Sequence, residues 1–548
     1  MKTPIQTQSQ YGELADRLSA AAREILDVIE VERVKFNAEE LYGACTTGAT
    51  RIVPLAVKAK AKAEIIRIMQ IAQKNKVAVY PISTGKNWGY GTSNPVENFC
   101  ILLDLSLMNK IINFDPELGT VRVEPGVTQG QLLEFMKKHD YHFIVPITGA
   151  GPHASLMGNL LERGYGITPH TDHFNALLSL EAILPSGEIY GSTLRDLGCA
   201  EINNNFKWGL GPYLDGLFAQ SNFGVVVECT ISLMRRPESI AGFVFTLKSD
   251  ADVTLAAEAL RKLGQNLPGI LGGMNLMNSH RMLAMNAPYP TAEVKKGELI
   301  STQQMKLLCR KHHIEAWTGI GGIYGTKAVV KAAKKEIRKQ LGSLVKDLRF
   351  VDDRILSFLT FTTKILPSFL GKKFFQVLTQ RVKNLMDVVS GIPTEAALPL
   401  AYWKTDQKHV ANQNHNIAKD DCGLIWYSPI VLNKPAKVRQ YIDFVYRTCM
   451  KYSMESLITL TTVSDRCFDS TIPLLFDRKD AQSMHLAQSC YAELMSEGQK
   501  LGFFPYRLGI DQMKSVTGDP NSVSWRLVSK IKAALDPNQI LSPGRYCP

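Results

Sequence analysis

Residues 77–91 read VAVYPISTGKNWGYG, and this stretch decides the fold. The β-branched and aromatic residues at 77–82 predict a short buried strand. It runs directly into a loop of Gly and small polar residues. Gly85 and Gly89 carry no side chain to obstruct a close approach, so successive backbone N–H groups can form a concave anion site. An ordinary turn has the same local composition. The rest of the chain separates the two readings.

Three more segments repeat the theme: 148–164 (TGAGPHASLMGNLLERG), 209–224 (GLGPYLDGLFAQSNFG) and 536–545 (DPNQILSPGR). Any one could be a turn that needs a positive φ. Four of them flanking one expected domain point to a large anionic cofactor. None fits GxGxxG after a strand, so the dinucleotide fold of that type is not indicated.

Around the opening stretch, apolar spacing near 3.6 predicts helices over 11–30, 62–75 and 129–140. Strands are expected at 101–105, 120–124 and 224–234. Residues 177–190 read as a β-hairpin turning at Pro185-Ser186-Gly187. Arg235-Arg236-Pro237 ends this region. Beyond it, strands at 243–247, 315–324, 424–431 and 456–463 alternate with helices at 253–263, 327–341, 438–451 and 481–501. That pattern predicts an α+β domain with helices on one face of a sheet. Residues 503–548 return to loop and turn chemistry.

The 548 residues are too many for one core. A net charge of +12 is spread along the chain and reads as a solvated basic surface. Ten cysteines are scattered with no CxxC pair, so no metal site is expected, and a reducing, cytoplasmic setting is. The first residues lack the apolar core of a signal peptide. Residues 355–375 are apolar but interrupted by Lys364, Pro367, Gly371, Lys372 and Lys373, which favours a buried helix pair over an interfacial amphipathic element.

In order, PISTGKNWGYG (81–91), VEPGVT (123–128), GNLLERGYGITPHTDHF (158–174) and GPYLDGLFAQSNFGVV (211–226) resemble the FAD-binding domain of the vanillyl-alcohol oxidase and p-cresol methylhydroxylase flavoproteins. PYRLGID (505–511) and LDPNQILSPGR (535–545) resemble that family's closing segments. The resemblance implies a two-domain α+β flavoprotein. Residues 1–237 and 503–548 would form the FAD-binding domain, and 238–502 an inserted cap.

Carried onto this chain, the resemblance implies that Pro81, Ser83, Thr84, Gly85, Lys86 and Asn87 wrap the FAD pyrophosphate. Ser155, Gly158 and Asn159 would line the flavin and ribityl chain, Val225 and Val226 the adenine side, and Arg545 the flavin ring. Tyr90, Tyr506 and Arg507 match positions that hold a phenolate. Two hydroxyl donors and one cation favour the anion of a phenol whose ordinary pKa is about 10. Asp172 matches the acid beside flavin N5, a base for water or a substrate hydroxyl; its plain alternative is a helix cap. His170 and His173 read as hydrogen-bonded core histidines.

The family pattern breaks in two places. Leu424 stands where one branch ties FAD to a histidine, so FAD is expected to be non-covalent. In SDRCFDSTIPLLF (464–476), Asp469, Ser470 and Thr471 replace histidine and aliphatic residues, with Arg466 nearby. Trp426, Tyr427, Asp469 and Thr471 are expected to line the substrate pocket.

The activity so implied is oxidation of a para-substituted phenol by hydride transfer from the benzylic carbon to flavin N5 through a quinone methide. Electrons would pass to O2 or to a protein acceptor. The partners expected are a small phenol and a second copy of the chain, with no nucleic acid. The alternatives are a flavin dehydrogenase of a hydroxy acid or polyol, with Arg507 on the carboxylate, and a flavoprotein subunit serving a protein acceptor. A third is a flavin-binding scaffold without activity, against which Asp172 argues.

Overall fold

The structure is a computed structural model that describes residues 12–295, 297–365, 372–406, 409–410 and 415–548. One large sheet, two smaller ones and a two-stranded pair organise it. In the first, strands Leu55–Lys58, Ile101–Asp104 and Val79–Ile82 lie parallel, with Val34–Phe36 antiparallel at the edge. Parallel neighbours need a crossover, and helix Lys62–Asn75 supplies it. Helices Gly12–Leu26 and Lys62–Asn75 bury Leu18, Ile25, Ile65 and Met69 against Val57, Val79 and Leu103.

The far end of the chain closes this sheet. Val79 donates its N–H to the Ile540 carbonyl at 2.7 Å and accepts from Ser542 N–H at 2.8 Å. Both chain ends therefore build one unit, as the two-domain flavoprotein reading requires. The second sheet is antiparallel, in the order Ile111–Asp115, Thr120–Val123, Val225–Ser232, Leu177–Ile183, Ile189–Tyr190. The expected hairpin over 177–190 is its last pair.

Residues from Ser239 to Asp477 form the eight-stranded sheet. Its central strands run Trp317–Gly325, Asn275–Asn278, Thr459–Thr462 and Cys467–Asp477, with Cys422–Tyr427 at the end of the order. Successive side chains on a strand face opposite ways. In Cys467–Asp477, Phe468, Ile472, Leu474 and Phe476 enter the core beneath helices Val253–Asn266, Lys327–Leu341, Pro435–Lys451 and Ala481–Leu501. Asp469, Thr471 and Pro473 face the other way. Helices on one face were expected; that is corrected, because helix Lys372–Val389 packs Val382, Met386 and Val389 against Ile240 and Tyr324 on the other. The long Cys467–Asp477 strand was not expected, because Asp469-Ser470-Thr471 interrupts its apolar run.

Two expectations need correction. Residues 503–548 are not all loop: Val523–Leu535 is a helix that begins with Ser522 accepting from Trp525 N–H. Helices Asp353–Ile365 and Lys372–Val389 pack together and bury Leu359, Val382, Met386 and Val389 against the sheet, but the pair is only half buried. Phe358, Phe361, Ile365 and Phe374 are each more than 60% exposed on it. Pro367 and Gly371 lie outside the described residues. Among the described residues, no helix is long and apolar enough to cross a membrane.

Candidate active site

The loop after strand Val79–Ile82 is shaped by glycines at positive φ, with Gly85 at +67° and Gly89 at +76°. The space is as restrictive as the backbone. A Cβ on Gly89 would come 2.1 Å from Trp426 Cδ1, and one on Gly158 would come 2.6 Å from Ser83 Oγ. The second contact brings the 81–87 loop against helix Leu156–Leu161, two segments the sequence reading assigned to the same cofactor. Ser155 caps that helix: its Oγ accepts from Gly158 N–H at 2.9 Å and donates to the Pro125 carbonyl at 2.7 Å. Its hydroxyl thus donates once and accepts once within the protein, which fixes the start of the helix expected to lie along the ribityl chain.

Lys86 reaches the His415 carbonyl at 3.4 Å, and burial pushes it down to about 8 while Glu395 opposes the shift. Asn87 accepts from the Arg507 guanidinium. Val225 and Val226 open their strand opposite Ile183 and Ala182, with both side chains buried. Asn159 pairs with Nδ1 of His173, and burial drives that imidazole down to about 3, so it is neutral. His170 is also lowered by burial.

The residues matched to the phenolate site converge. Tyr90 Oη lies 2.8 Å from Ser428 Oγ, and the Tyr506 N–H donates to the Ser428 carbonyl at 3.2 Å. One cap residue therefore holds both tyrosine-bearing segments. The Arg507 guanidinium lies 4.3 Å from the Tyr90 ring centroid. Tyr165 packs edge-on against Tyr506 at 5.1 Å. Burial pushes Tyr90 up to about 12, against the opposing pull of Arg507 and Ser428, and also raises Tyr506.

Asp469 is the acid in this cluster. It is 4% exposed, and its Oδ1 has no hydrogen-bond partner. Burial raises it to about 8, and its charge is felt at Tyr90, Tyr165 and Tyr506. Thr471 follows on the same face, paired in register with Thr459. Asp172 Oδ1 accepts from Asn175 N–H at 3.1 Å, beside the turn Phe174–Ala176.

Glu162 was quoted within a motif but not singled out. It is a buried carboxylate between two arginines. Arg545 donates to Oε1, and Arg507 Nε lies 3.0 Å from Oε2, an ion pair without hydrogen-bond alignment. Arg545 also reaches Tyr80 Oη at 3.3 Å. A lone acid inside a Gly-rich, apolar stretch was the available signal. Ser428 and Tyr165 carried none, because their roles come from residues far away in sequence.

Trp426 faces the site and Tyr427 does not. Trp426 N–H donates to the Gly89 carbonyl at 3.2 Å, and the next residue must point to the opposite side of the strand. Tyr427 is fully buried in the helix-covered core, with its hydroxyl donating to the Phe503 carbonyl at 2.8 Å. Its assignment to the pocket is corrected accordingly. Ser470 likewise bonds Tyr441 on the helix side, and Arg466 has an 81% exposed side chain.

Glu395, His409 and His415 bring possible metal-ligand atoms within 4.8 Å of one another. His415 already engages Tyr402 Oη and the Val410 carbonyl through its two nitrogens. The ten cysteines are all free.

A loop of backbone donors, two arginines and a lysine suits a diphosphate and an electron-accepting ring, the donor set of a FAD-dependent oxidoreductase. Residues 53–192 match the FAD binding domain family. The chain is 30% identical over 535 residues to 1'-carboxy-chondrochloren decarboxylase of Chondromyces crocatus, covering 97% of each protein. It is 27% identical over 496 residues to the 4-cresol dehydrogenase [hydroxylating] flavoprotein subunit of Pseudomonas putida, covering 89% of this chain and 87% of that one. A crystal structure of p-cresol methylhydroxylase with substrate bound superimposes with a TM-score of 0.85 at 24% identity, over 99% of this chain and 98% of that one. The protein belongs to the vanillyl-alcohol oxidase and p-cresol methylhydroxylase family of FAD-linked oxidoreductases.

Proposed function

We propose that the enzyme oxidises a para-substituted phenol at its benzylic carbon. The observation that carries this reading is the buried convergence of Tyr90, Tyr506 and Arg507 around Asp469. Bound FAD supplies the two-electron acceptor for the reaction. The residues proposed to hold it are Pro81, Ser83, Thr84, Gly85, Lys86, Asn87, Gly158, Asn159, Val225, Val226 and Arg545, with backbone from Ser155. Leu424 offers no nucleophile, so the cofactor is proposed to be held without a covalent bond.

The division of labour follows from the contacts. Tyr90 and Tyr506 donate to the substrate oxygen, and the Arg507 charge stabilises the phenolate. Electrons released from that oxygen weaken the benzylic C–H bond and leave a quinone methide as the substrate-derived intermediate. Asp469 is placed to take the phenol proton, because its carboxyl is buried among these hydroxyls and lacks a partner. Asp172 is proposed to act further along the site, beside the cofactor ring. Trp426 and Thr471 shape the pocket. We extend the proposal to domain limits of 1–237, 238–502 and 503–548, and to a homodimer that uses O2 or a protein acceptor.

A relative named as a decarboxylase and another named as a hydroxylating dehydrogenase both accord with a quinone methide that can react onward in more than one way. The hydroxy-acid alternative is weaker, because Arg507 already meets Glu162, Asn87 and the Tyr90 ring.

The test is anaerobic mixing of the FAD-loaded enzyme with para-alkylphenols and, separately, with hydroxy acids. Loss of the oxidised-flavin absorbance is expected with phenols alone. Bleaching by hydroxy acids alone would overturn the phenol reading. Acid precipitation is expected to leave the yellow colour in the supernatant; a yellow pellet would reverse the non-covalent assignment.

A further inference from the structure

Arg281 is buried without a counter-charge. It stands in the first turn of helix Ser279–Asn286, where Asn278 accepts its N–H at 3.0 Å. The residue is 8% exposed, and its Nε and Nη1 have no hydrogen-bond partner. No acid among the described residues forms an ion pair with it, and residues 1–11, 296, 366–371, 407–408 and 411–414 contain no Asp or Glu. Burial lowers the guanidinium to about 10, which leaves it charged at neutral pH. Taking a cation out of water without a partner is costly, and one aromatic face offsets only part of that. Buried arginines elsewhere in this site are paired.

The aromatic face identifies what Arg281 serves. Its guanidinium lies 5.5 Å from the Trp426 ring centroid. Trp426 in turn contacts Gly89, the residue before Tyr90. Ser428, which holds the Tyr90 hydroxyl, follows two residues further on, just past the strand end, so Trp426 and Ser428 meet adjacent residues of the same loop. Two residues of extended strand span about 7 Å. The order along this wall is therefore phenol site, Trp426, Arg281. A molecule with its ring at Tyr90 and its para side chain along Trp426 would bring the end of that chain to Arg281.

We propose that Arg281 receives a carboxylate at the end of the substrate's para side chain, so that the natural substrate is a 4-hydroxyphenyl compound with an acidic tail. This rests on the phenol reading above and narrows it. A carboxylate suits this group, since its charge answers the buried cation and its oxygens accept charge-assisted hydrogen bonds from the unpartnered guanidinium.

The experiment uses the FAD-loaded enzyme and two ligands that cannot be oxidised at the benzylic position, because an ether oxygen replaces that carbon. These are (4-hydroxyphenoxy)acetate and 4-ethoxyphenol, which differ in the carboxylate. Isothermal titration calorimetry at neutral pH should show the acid binding about tenfold or more tighter than the neutral ether, the range for a hydrogen bond to a charged group. In Arg281→Met that ratio should fall to about one, and Arg281→Lys should hold an intermediate value. An absent preference in the wild type, or one that survives in Arg281→Met, overturns the proposal. So does an Arg281→Met protein that keeps its far-UV circular dichroism but emerges colourless, since Arg281 would then serve FAD. Should Arg281→Met fail to fold, the wild-type ratio and an unreduced ratio in Arg281→Lys decide the matter, the first in favour and the second against. If neither ligand binds the wild type, the phenol reading itself fails. If 4-ethoxyphenol binds and the acid binds no better, only the assignment of Arg281 fails.

Discussion

Arg507 and Arg545 come from the C-terminal segment and converge on one carboxylate, Glu162, whereas Arg281 comes from the cap and meets none among the described residues. The paired cations are fixed by the protein before any ligand arrives. Arg507 is held by Glu162 and Asn87, so its position over the Tyr90 ring is set in advance. Electrostatic groups placed in advance need not reorganise during the reaction. The unpaired cation has a charge still to be satisfied. The FAD-domain side of the site thus carries fixed electrostatics suited to a constant ring, and the cap side carries a recognition group for whatever extends from it.

The comparison breaks first at Glu162. Glu162→Gln leaves two buried arginines sharing no carboxylate, and removing one partner of a buried pair costs about 3–5 kcal/mol. A marked fall in melting temperature and weaker retention of FAD are expected, measured by thermal unfolding and by flavin fluorescence in the filtrate. A stable, fully yellow variant would show that the pairing is not what holds the arginines.

Asp469→Asn should lower phenol turnover by about a hundredfold, the usual range for a lost general base. The pH profile gives a second readout. Burial holds the Asp469 carboxyl at about 8, so the wild-type rate should rise with pH through about 8, and the Asn variant should lose that arm. The sign for stability runs the other way. The folded protein keeps a proton that the unfolded chain releases above about 4, so this stabilising contribution is present below about 4 and is lost as pH rises to about 8. Unfolding midpoints across that window should show the decline in the wild type and less of it in Asp469→Asn. A rate profile unchanged by the substitution would return the base role to Asp172.

Tyr90→Phe removes one hydroxyl and its bond to Ser428. A loss of about tenfold in kcat/KM for phenols is expected, near the 1.4 kcal/mol that corresponds to tenfold, with FAD still bound. A colourless variant, or one with normal turnover, would remove Tyr90 from the substrate site. The smallest effect is expected far from either set of arginines. Phe358 is 66% exposed on the helix pair, and Phe358→Ser should change stability by no more than about 0.5 kcal/mol and leave flavin reduction by phenols unaltered. A large effect there would show that the exposed helix face is coupled to the site.

Much of the site was legible because its residues sit in short, chemically distinctive stretches. The loop at 81–91 needs glycines where the backbone turns to positive φ, so it announces itself locally. Tyr506-Arg507 are adjacent in sequence, and their convergence with Tyr90 is what the resemblance implied. Tyr427 was misplaced because an aromatic residue carries no mark of which strand face it occupies until a register is fixed. Arg281 was missed because its helix gives no sign of burial, and an arginine is ordinarily a surface residue. The amphipathic helices over 62–75, 327–341 and 481–501 were predictable from spacing; the helix Val523–Leu535 was obscured by the turn chemistry on both sides of it.

The sequence by itself determined the main amphipathic helices, the flavoprotein family and the loop that would approach an anion, because these depend on local spacing and on residues that only certain backbones tolerate. Tertiary structure decided which buried charges are answered. Glu162 meets Arg507 and Arg545 across more than 340 positions of chain, Asp469 lies without a hydrogen-bond partner at Oδ1 among three tyrosines from three distant segments, and Arg281 lies over Trp426 with no acid paired to it among the described residues. Electrostatic pairing is a matter of distance and burial in space, and no local pattern of residues encodes either.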